Sequence, residues 1–509
     1  MIELDRTNPK PLYQQLYEQF RHQIMVGTYP QGTRLPPIRQ LADDLGIARN
    51  TVEGAYFQLA QEGYVSSRAG SGFVVQQLDL LPKNAHVTQK VTSETFVERL
   101  RQTGLWNDED NTDGDRAPDG RSNGGIAAHA RPQPLSDSSE SNVLPVAYDF
   151  TYGNLQANSF PAQLWRRLVS EVLAGQDARR ASTYGDGLGE RGLRQQIAQA
   201  LNRDSGVNCH PAQVVVRAGT QASLYNLLTL FDPMRDVIAM EEPGYDGART
   251  VFENARFGLF PVPVTEGDDA FIAGLCRSGA RLAYVTPSNQ FPTGRILQQA
   301  ARQRLLKWAD ETDAYIIEDD YCREFRYRAR PLPSLQSLDR NGRVIYMGTF
   351  SKALSPALRM NYLVLPPDLL FSWRKLFANH YPEVPWLSQA VLQSYMEKGY
   401  WDRHLRKAQA YNKRKYQLLV GALRARMGKR VDVMENGSGL HLLVGPLDGR
   451  PQDELVALAR RGGVKVYGTD RYWMSAKHPL ENYVLVGFSA IRAEQIEPGI
   501  ARLAEAWFC

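Results

Sequence analysis

The sequence predicts a multidomain chain in which a small N-terminal α+β module, a helix-turn-helix with a wing, precedes a large α/β domain. Residues 1–78 are compact and well patterned, residues 79–147 are rich in Asp, Gly, Asn and Ser, and helical and strand-like stretches alternate over 148–509. A chain of 509 residues is also too long for one ordinary domain. We therefore expect a module at 1–78, a flexible linker at 79–147 and the large domain at 148–509.

The N-terminal module has the periodicity of three short helices. Apolar residues spaced by three and four predict a first helix over 12–26. A second helix is predicted over Ile38–Leu45, between two prolines and Gly46, and a third from about 50 to 63. Two short helices joined by a tight glycine turn form a helix-turn-helix. Residues 64–75 are typical of two strands around a glycine-rich tip, which makes a wing.

The stretch between the domains has too few apolar side chains to order itself. One exception is a predicted short helix that Ser93 would cap, with Phe96, Val97 and Leu100 on one face. Acidic residues outnumber basic ones here, so we do not expect a DNA-binding tail.

The composition is that of an ordinary globular protein, with 43% hydrophobic and 23% charged residues and a net charge of +5. This charge is too small to indicate nucleic acid binding by itself. The four cysteines and eight histidines show no spacing typical of a disulfide framework or a metal site, so we expect no metal. No leader-like segment and no apolar run long enough to span a membrane is evident, which favours a cytoplasmic protein.

Two apolar runs in the large domain end in side chains that suit one kind of cofactor. The run 314–317 ends in Glu318, Asp319, Asp320 and Tyr321, and the run 344–347 leads through Thr349 and Ser351 to Lys352, with Arg359 beyond. Pyridoxal 5'-phosphate needs a lysine for its imine, a carboxylate for its pyridinium proton, and hydroxyls with an arginine for its phosphate. We therefore expect this cofactor in the large domain.

Four stretches of the N-terminal module resemble the GntR-type winged helix over residues 10–76. They are LPPIRQLA at 35–42, ARNTV at 48–52, EGY at 62–64 and GSGFV at 70–74. The resemblance implies that the third helix enters the major groove of promoter DNA. The DNA contacts that it implies are Arg39, Arg49, Asn50 and Thr51 at the helix starts, and Arg68, Gly70 and Gly72 on the wing. The alternative is a winged helix used only for protein contacts, since residues 1–76 carry equal numbers of basic and acidic side chains.

Fragments of the large domain resemble class I aminotransferases, which have a pyridoxal phosphate fold of type I. They lie at 184–194, 217–222, 241–245 and 286–294, in the order and spacing of that family. The resemblance implies a role for each matching residue. Gly219, Thr220, Gln221, Thr349, Ser351 and Arg359 would hold the phosphate, Tyr245 would stack on the ring, Asp319 would pair with the pyridine nitrogen, Tyr321 and Asn289 would lie at the 3-oxygen side, and Lys352 would form the imine.

Two departures from the aminotransferase pattern bear on catalysis. Phe291 stands where such enzymes usually carry asparagine, and Asn289 is the candidate replacement. The stretch 484–488 lacks the arginine that usually clamps the substrate carboxylate, and Arg471 is the alternative clamp. These departures put efficient transamination in doubt and leave cofactor binding intact.

The order of winged helix, linker and aminotransferase-like domain resembles the MocR type of bacterial transcription regulator. The resemblance implies a homodimer that reads two DNA half-sites and senses a small amine, an amino acid or a vitamin B6 compound. One alternative is an active aminotransferase with an accessory DNA-binding domain. Another is a sensor of pyridoxal phosphate itself, which needs no amine.

Overall fold

The computed structural model describes residues 4–5, 10–68, 72–76, 145–204, 206–327 and 333–508. The predicted linker at 79–147, with the helix predicted after Ser93, lies outside these residues except for 145–147. Gly70, a predicted DNA contact, also lies outside them.

Three helices and a hairpin form the N-terminal module. They are α1 (Leu12–Met25), α2 (Ile38–Leu45), α3 (Arg49–Gln61), β1 (Val65–Arg68) and β2 (Gly72–Val75). Gly46 ends α2 with a φ of 59°, a left-handed conformation that glycine adopts without strain. Leu16, Phe20 and Tyr56 are fully buried between the helices and form the core. The antiparallel hairpin pairs Val65 with Val75, so the observed module is a helix-turn-helix with a wing.

The large domain is built on a seven-stranded sheet, which follows the short strand β3 (Tyr148–Asp149). Its strands are β4 (Val214–Arg217), β5 (Val237–Glu242), β6 (Gly258–Pro263), β7 (Leu282–Val285), β8 (Tyr315–Asp319), β9 (Val344–Thr349) and β10 (Asn361–Val364). The spatial order is β4-β10-β9-β8-β7-β5-β6, and only β10 runs antiparallel to its neighbours. The central strands are buried on both faces, which explains their near-continuous apolar sequences.

Helices pack around this sheet. They are α4 (Ala162–Ala174), α5 (Arg191–Asp204), α6 (Thr220–Leu228), α7 (Asp246–Asn254), α8 (Asp268–Ser278), α9 (Gln299–Glu311), α10 (Leu335–Leu338) and α11 (Pro367–Leu376). The C-terminal part comprises α12 (Trp386–Glu397), α13 (Tyr400–Arg426), β11 (Val431–Met434), β12 (His441–Pro446), α14 (Gln452–Arg461), β13 (Val464–Lys465), β14 (Tyr467–Gly468), β15 (Val484–Gly487) and α15 (Ala493–Phe508). A four-stranded sheet orders its strands β11-β12-β15-β14, and β13 pairs with β3.

The sheet topology brings the two predicted groups of cofactor residues together. Strands β8 and β9 are adjacent and parallel, with Asp319 opposite Met347. Their carboxyl ends therefore meet at one edge of the sheet, where ligands bind in open α/β sheets. The loop that carries Lys352 follows β9 at this edge.

The winged helix contacts the large domain at the end of α3. The backbone N–H of Gln299, the first residue of α9, donates to the carbonyl of Glu62 at 3.0 Å. The carboxylate of Glu62 is buried, and it accepts hydrogen bonds from Tyr17 and Gln58 at 2.5 Å each. Burial raises the pKa of Glu62, although these hydrogen bonds oppose the shift. This interdomain contact therefore encloses a carboxylate of the winged helix.

Over the described ranges, none of the helices is both long and apolar enough to cross a membrane. In the same ranges, no group of three or more histidine, cysteine, aspartate or glutamate side chains is placed to hold a metal ion.

Candidate functional site

A cavity of about 330 Å³ opens at the edge where β8 and β9 end. Nine of the eleven residues predicted from the sequence to hold the cofactor line it: Thr220, Gln221, Tyr245, Asp319, Tyr321, Thr349, Ser351, Lys352 and Arg359. The other two, Gly219 and Asn289, each contact one of the lining residues. The structure thus brings together residues that are up to 140 positions apart in the chain.

Lys352 projects its amine into this cavity. The Nζ atom lies 4.4 Å from the centroid of the Tyr152 ring. Burial lowers the pKa of Lys352 from its ordinary value, although the Asp319 carboxylate opposes the shift, and the Arg359 charge lowers the pKa further. A lysine with a lowered pKa is more often neutral, and the neutral amine is the form that attacks a carbonyl.

Asp319 lies at the floor of the cavity, where its side chain is 5% exposed. Its Oδ2 accepts a hydrogen bond from the Tyr284 hydroxyl at 2.5 Å. Burial raises the pKa of Asp319 to about 7, although the Tyr284 hydrogen bond and the Lys352 charge oppose the shift. A cationic ring nitrogen at this position would stabilise the ionised carboxylate.

Tyr321 and Asn289 form a reciprocal pair at the wall of the cavity. The Asn289 Nδ2 donates to the Tyr321 hydroxyl at 2.7 Å, and this hydroxyl donates to the Asn289 carbonyl at 2.9 Å. Ser438 donates to Asn289 Oδ1 at 3.0 Å, which fixes the orientation of the amide. The phenol is therefore held in place, with its oxygen available at the cavity.

The start of α6 forms a cradle suited to a phosphate group. Gly219 precedes this helix with a φ of 93°, and a Cβ atom there would collide with the guanidinium of Arg359. Glycine thus lets the guanidinium lie against the helix start, where backbone N–H groups and the helix dipole favour an anion. The hydroxyls of Thr349 and Ser351 line the same cavity. These residues fit the phosphate of the predicted cofactor.

Phe291 forms an aromatic wall of the cavity, and its side chain is 3% exposed. Its ring meets the rings of Tyr245, Tyr321 and Tyr472 edge to face, with centroids 6.0, 6.2 and 4.8 Å away. The ring offers no amide to a ligand at this point of the loop. Asn289 instead uses its amide on Tyr321, as described above.

The structure does not place Arg471, the candidate carboxylate clamp, among the residues that line the cavity. Its guanidinium pairs with Asp246 at the start of α7, and its side chain is 66% exposed. The neighbouring Arg249 donates to the carbonyls of Arg471 and Trp473 and holds this segment in place. Arg471 would have to leave Asp246 before it could bind a ligand in the cavity.

The residues at the site that sequence reasoning missed include three tyrosines. Tyr284 bonds Asp319, Tyr152 lies against Lys352, and Tyr472 packs on Phe291. Tyr284 lies in an apolar run, and Tyr152 and Tyr472 lie in short segments that carry no recognisable motif. Of the three, only Tyr284 could have been suspected from the sequence, because a hydroxyl group in a predicted buried strand needs a hydrogen-bond partner.

Four of the predicted DNA contacts lie at the starts of α2 and α3. Arg39, Arg49 and Asn50 are exposed, Thr51 is half-buried, and α3 begins at Arg49. No acidic residue lies in the first turn of α3, where a negative side chain would repel phosphate. On the wing, Gly72 is exposed and begins β2. Arg68 ends β1, and its role in DNA contact stays a prediction.

Asp319→Asn should remove part of the pH dependence of stability in the cofactor-free protein. The pKa of Asp319 is about 7 in the folded protein and about 3.9 when unfolded. The stability that this raised pKa contributes is therefore full below about pH 4 and is lost as the pH rises through about 7. Relative to the parent, the free energy of unfolding of the variant should rise by up to about 1.4 kcal/mol per pH unit in that interval.

Urea unfolding at several pH values between these limits measures this difference. Asp269→Asn is the matched control, because its carboxylate lies exposed. An Asp319→Asn variant with the same pH dependence as the parent would contradict the prediction.

Comparison with known proteins gives matches to both parts of the chain. Residues 151–461 match the family model for aminotransferase class I and II. Residues 12–75 match the model for bacterial regulatory proteins of the gntR family.

Several full-length relatives combine the two parts. The probable rhizopine catabolism regulatory protein MocR of Rhizobium meliloti is 34% identical over 100% of this chain and 96% of its own length. The uncharacterized HTH-type transcriptional regulator YdeL of Bacillus subtilis is 34% identical over 99% of this chain and 98% of its own. The pyridoxine biosynthesis regulator PdxR of Corynebacterium glutamicum is 27% identical over 99% and 98%.

Solved aminotransferases resemble the large domain in fold. The α-aminoadipate aminotransferase LysN of Thermus thermophilus, complexed with N-(5'-phosphopyridoxyl)-L-leucine, is 26% identical with a TM-score of 0.62. The match covers 70% of this chain and 91% of LysN. The multiple substrate aminotransferase of Thermococcus profundus is 25% identical with a TM-score of 0.64, over 72% of this chain and 91% of its own.

Proposed function

The chain belongs to the HTH-type transcriptional regulators that join a gntR-family domain to a class I and II aminotransferase domain, and we propose that it senses a small ligand through pyridoxal phosphate held at Lys352. The ligand is an amine, an amino acid or a vitamin B6 compound. The observation that carries the proposal is the cavity lined by Lys352, Asp319, Tyr321 and Arg359 in a chain that also carries a winged helix.

The cofactor would be held by residues at opposite ends of the cavity. Arg359, the start of α6 and the hydroxyls of Thr349 and Ser351 would bind its phosphate, and Asp319 would bind its ring nitrogen. Tyr245 would cover the ring. Bound there, pyridoxal phosphate supplies an aldehyde that condenses reversibly with primary amines. The pKa of Lys352, which burial lowers, favours attachment of the cofactor to this lysine.

The winged helix would bind promoter DNA through α3 and the wing. Arg39, Arg49, Asn50 and Thr51 lie at the helix starts, where side chains of helix-turn-helix proteins contact bases and phosphates. Arg68, Gly70 and Gly72 would contact phosphate from the wing.

Two hydrogen bonds and one charge interaction lead from the cavity towards the winged helix. Asn289 bonds Tyr321 at the cavity wall. The carbonyl of the preceding Ser288 accepts a hydrogen bond from Arg326 at 3.1 Å. The Arg326 charge in turn favours the ionised form of Glu62, whose pKa burial raises. A ligand that binds two arrangements of this route with different affinity would change the population of winged-helix positions.

We propose a homodimer as the functional unit. Tyr184 and Tyr381 stack on each other with centroids 4.0 Å apart, yet they are 76% and 58% exposed. Exposed aromatic rings of this kind are typical of protein interfaces. A second copy of the chain would also supply the second winged helix that two half-sites require. Light scattering would test this, with a monomer as the contrary result.

Two observations favour a sensor over an efficient aminotransferase. Phe291 replaces the asparagine of the family pattern with an apolar ring, and Arg471 is paired with Asp246 outside the cavity lining. An aminotransferase must clamp the substrate carboxylate so that the α-hydrogen faces the lysine. The alternative function, an active aminotransferase with an accessory DNA-binding domain, would need another clamp.

Binding of DNA in the presence of candidate ligands tests the proposal directly. A DNA site would be selected from a random-sequence library, and its affinity measured by fluorescence anisotropy with and without amines, amino acids or pyridoxal phosphate. We expect at least one of these classes to change the affinity of the parent protein. Lys352→Ala should no longer respond to amines. A response to pyridoxal phosphate alone would favour the vitamin sensor, and an affinity unaffected by every class would contradict sensing.

Turnover should be slow with every amino acid that changes DNA affinity. Ordinary enzymes turn over at ~1–1000 per second, and misplacement of the substrate by about 1 Å costs ~100-fold. We therefore expect keto acid release below ~1 per second in rapid-quench experiments. Release at ordinary enzyme rates would identify an enzyme and contradict the sensor proposal.

A further inference from the structure

A second cavity of about 690 Å³ lies on the other side of Lys352. It lies between the loop 155–159, the middle of α13 and the segment from Ser489 to the start of α15, and it is open to solvent. Lys352 is the one residue that lines both this cavity and the first one. The two spaces are therefore neighbours with different walls.

The walls of the second cavity carry positive charge that does not depend on Lys352. Lys407, Lys415 and Arg492 line the cavity, and its lining residues include no aspartate or glutamate. The Glu494 carboxylate, which is not part of the lining, raises the pKa of Lys415. A cavity with several cations and no lining anion is suited to a ligand with a negative charge.

Lys415 is the buried cation of this cavity, and its residue is 0% exposed. Its Nζ donates one hydrogen bond, to the carbonyl of Ser489 at 3.0 Å, and lies 4.7 Å from the centroid of the Tyr411 ring. An ammonium group has three donors. Burial lowers the pKa of Lys415 to about 8, so the amine is still mostly charged at neutral pH. A buried charge of this kind is costly unless an anion or hydrogen-bond acceptor compensates it.

Asn412, one turn before the level of Lys415 on α13, supplies an independent sign of a ligand. Its residue is 8% exposed and lines the cavity. Its Nδ2 donates to the carbonyl of Ala408 at 2.9 Å, which fixes the orientation of the amide. The remaining atom, Oδ1, is buried without a hydrogen-bond partner. Such an acceptor requires a donor, which a hydroxyl or amino group of a ligand would provide.

We propose that this cavity is a second ligand site, which binds a small organic oxyanion that also carries a hydroxyl or amino group. Lys415 and Lys407 hold the oxyanion, and Asn412 accepts the hydrogen bond from the donor. The site does not require the ligand to react with the cofactor, because its contacts are with side chains of α13 and not with the first cavity. A ligand here would still lie beside Lys352 and so would be positioned to influence it.

Three probes without an amino group separate this site from cofactor chemistry. Malate has two carboxylates and a hydroxyl, succinate has the carboxylates alone, and glycerol 3-phosphate has hydroxyls and a phosphate. Calorimetric titration of the cofactor-loaded protein should detect malate or glycerol 3-phosphate, and the tighter of the two identifies the oxyanion. Succinate lacks the hydroxyl that would donate to Asn412. It should therefore bind about 2- to 10-fold more weakly than malate, as expected for the loss of one hydrogen bond.

Variants on α13 test the assigned contacts. Lys415→Met should weaken malate and glycerol 3-phosphate binding by ~10-fold or more, because a charge-assisted hydrogen bond is lost. Lys407→Met should also weaken it and changes only an exposed position, which guards against misfolding of the buried variant. Asn412→Ala should abolish the preference for malate over succinate. Lys413→Met is the matched control, because Lys413 is exposed on the same helix and does not line the cavity.

The inference would be overturned if no probe bound below ~10 mM, or if Lys415→Met, Lys407→Met and Lys413→Met bound every probe equally. Circular dichroism of each variant establishes that it is folded. None of these experiments measures DNA binding. They therefore test the second site independently of the sensor proposal.

Discussion

Lys352→Ala should abolish covalent attachment of pyridoxal phosphate, the largest effect expected from any single substitution. Lys352 is the lysine that lines the cofactor cavity, and its pKa is lowered by burial. Borohydride reduction fixes a cofactor–lysine linkage, and peptide mass mapping then locates it. We expect a phosphopyridoxyl group on Lys352 in the parent and no labelled lysine in the variant.

Noncovalent cofactor binding should persist in this variant at reduced affinity. Asp319 and the phosphate cradle at Arg359 remain in place, and neither depends on the lysine. Lys407→Ala is the matched control, since it removes a lysine from the neighbouring cavity only. A label on another residue of the parent, or an unchanged absorbance spectrum in Lys352→Ala, would refute the assignment.

Arg49→Ala should weaken DNA binding by ~10-fold or more. Arg49 is exposed at the first position of α3, where the side chain can reach base edges or phosphates. A lost base contact costs about 1–3 kcal/mol at one base pair. A lost phosphate contact instead lowers the slope of log affinity against log salt by about 0.9. Titrations at several salt concentrations therefore distinguish the two kinds of contact.

The charge-matched control is Lys429→Ala, which removes one positive charge from the large domain. It should change DNA affinity far less than Arg49→Ala, and both variants should keep the cofactor spectrum of the parent. Equal affinity of Arg49→Ala and the parent for the selected site would rule out the assigned contact.

The sequence was informative where function depends on short segments. The apolar runs before Asp319 and Lys352 predicted two buried strands, and β8 and β9 are adjacent in the sheet. Adjacent parallel strands place their carboxyl ends together, so the sequence could predict that the residues after these two strands form one site. The winged helix could also be predicted from the sequence, because its turns depend on local glycines such as Gly46.

Contacts between segments that are distant in the sequence could not be predicted in this way. Asp246 holds Arg471 away from the cavity lining, and the two residues are 225 positions apart. The Tyr284 hydrogen bond to Asp319 joins different strands, and Lys415 becomes a cavity residue only when α13 packs on the loop 155–159. Periodicity reports which face of an element is buried but not which partner covers it.

The contact between Glu62 and Gln299 limits which foreign winged helices can replace the native one with the response to ligand preserved. Gly63 has a φ of 77°, and a Cβ atom there would lie 2.8 Å from Gln298 Oε1 and 3.3 Å from Gln298 Cβ, so a side chain at this position would strain the backbone and displace Gln298. A chimaera that carries a foreign winged helix on this large domain would place different side chains against Gln298 and Gln299. We expect such hybrids to keep their operator preference and lose their response to ligand, unless Glu62 and Gly63 are retained opposite Gln298 and Gln299.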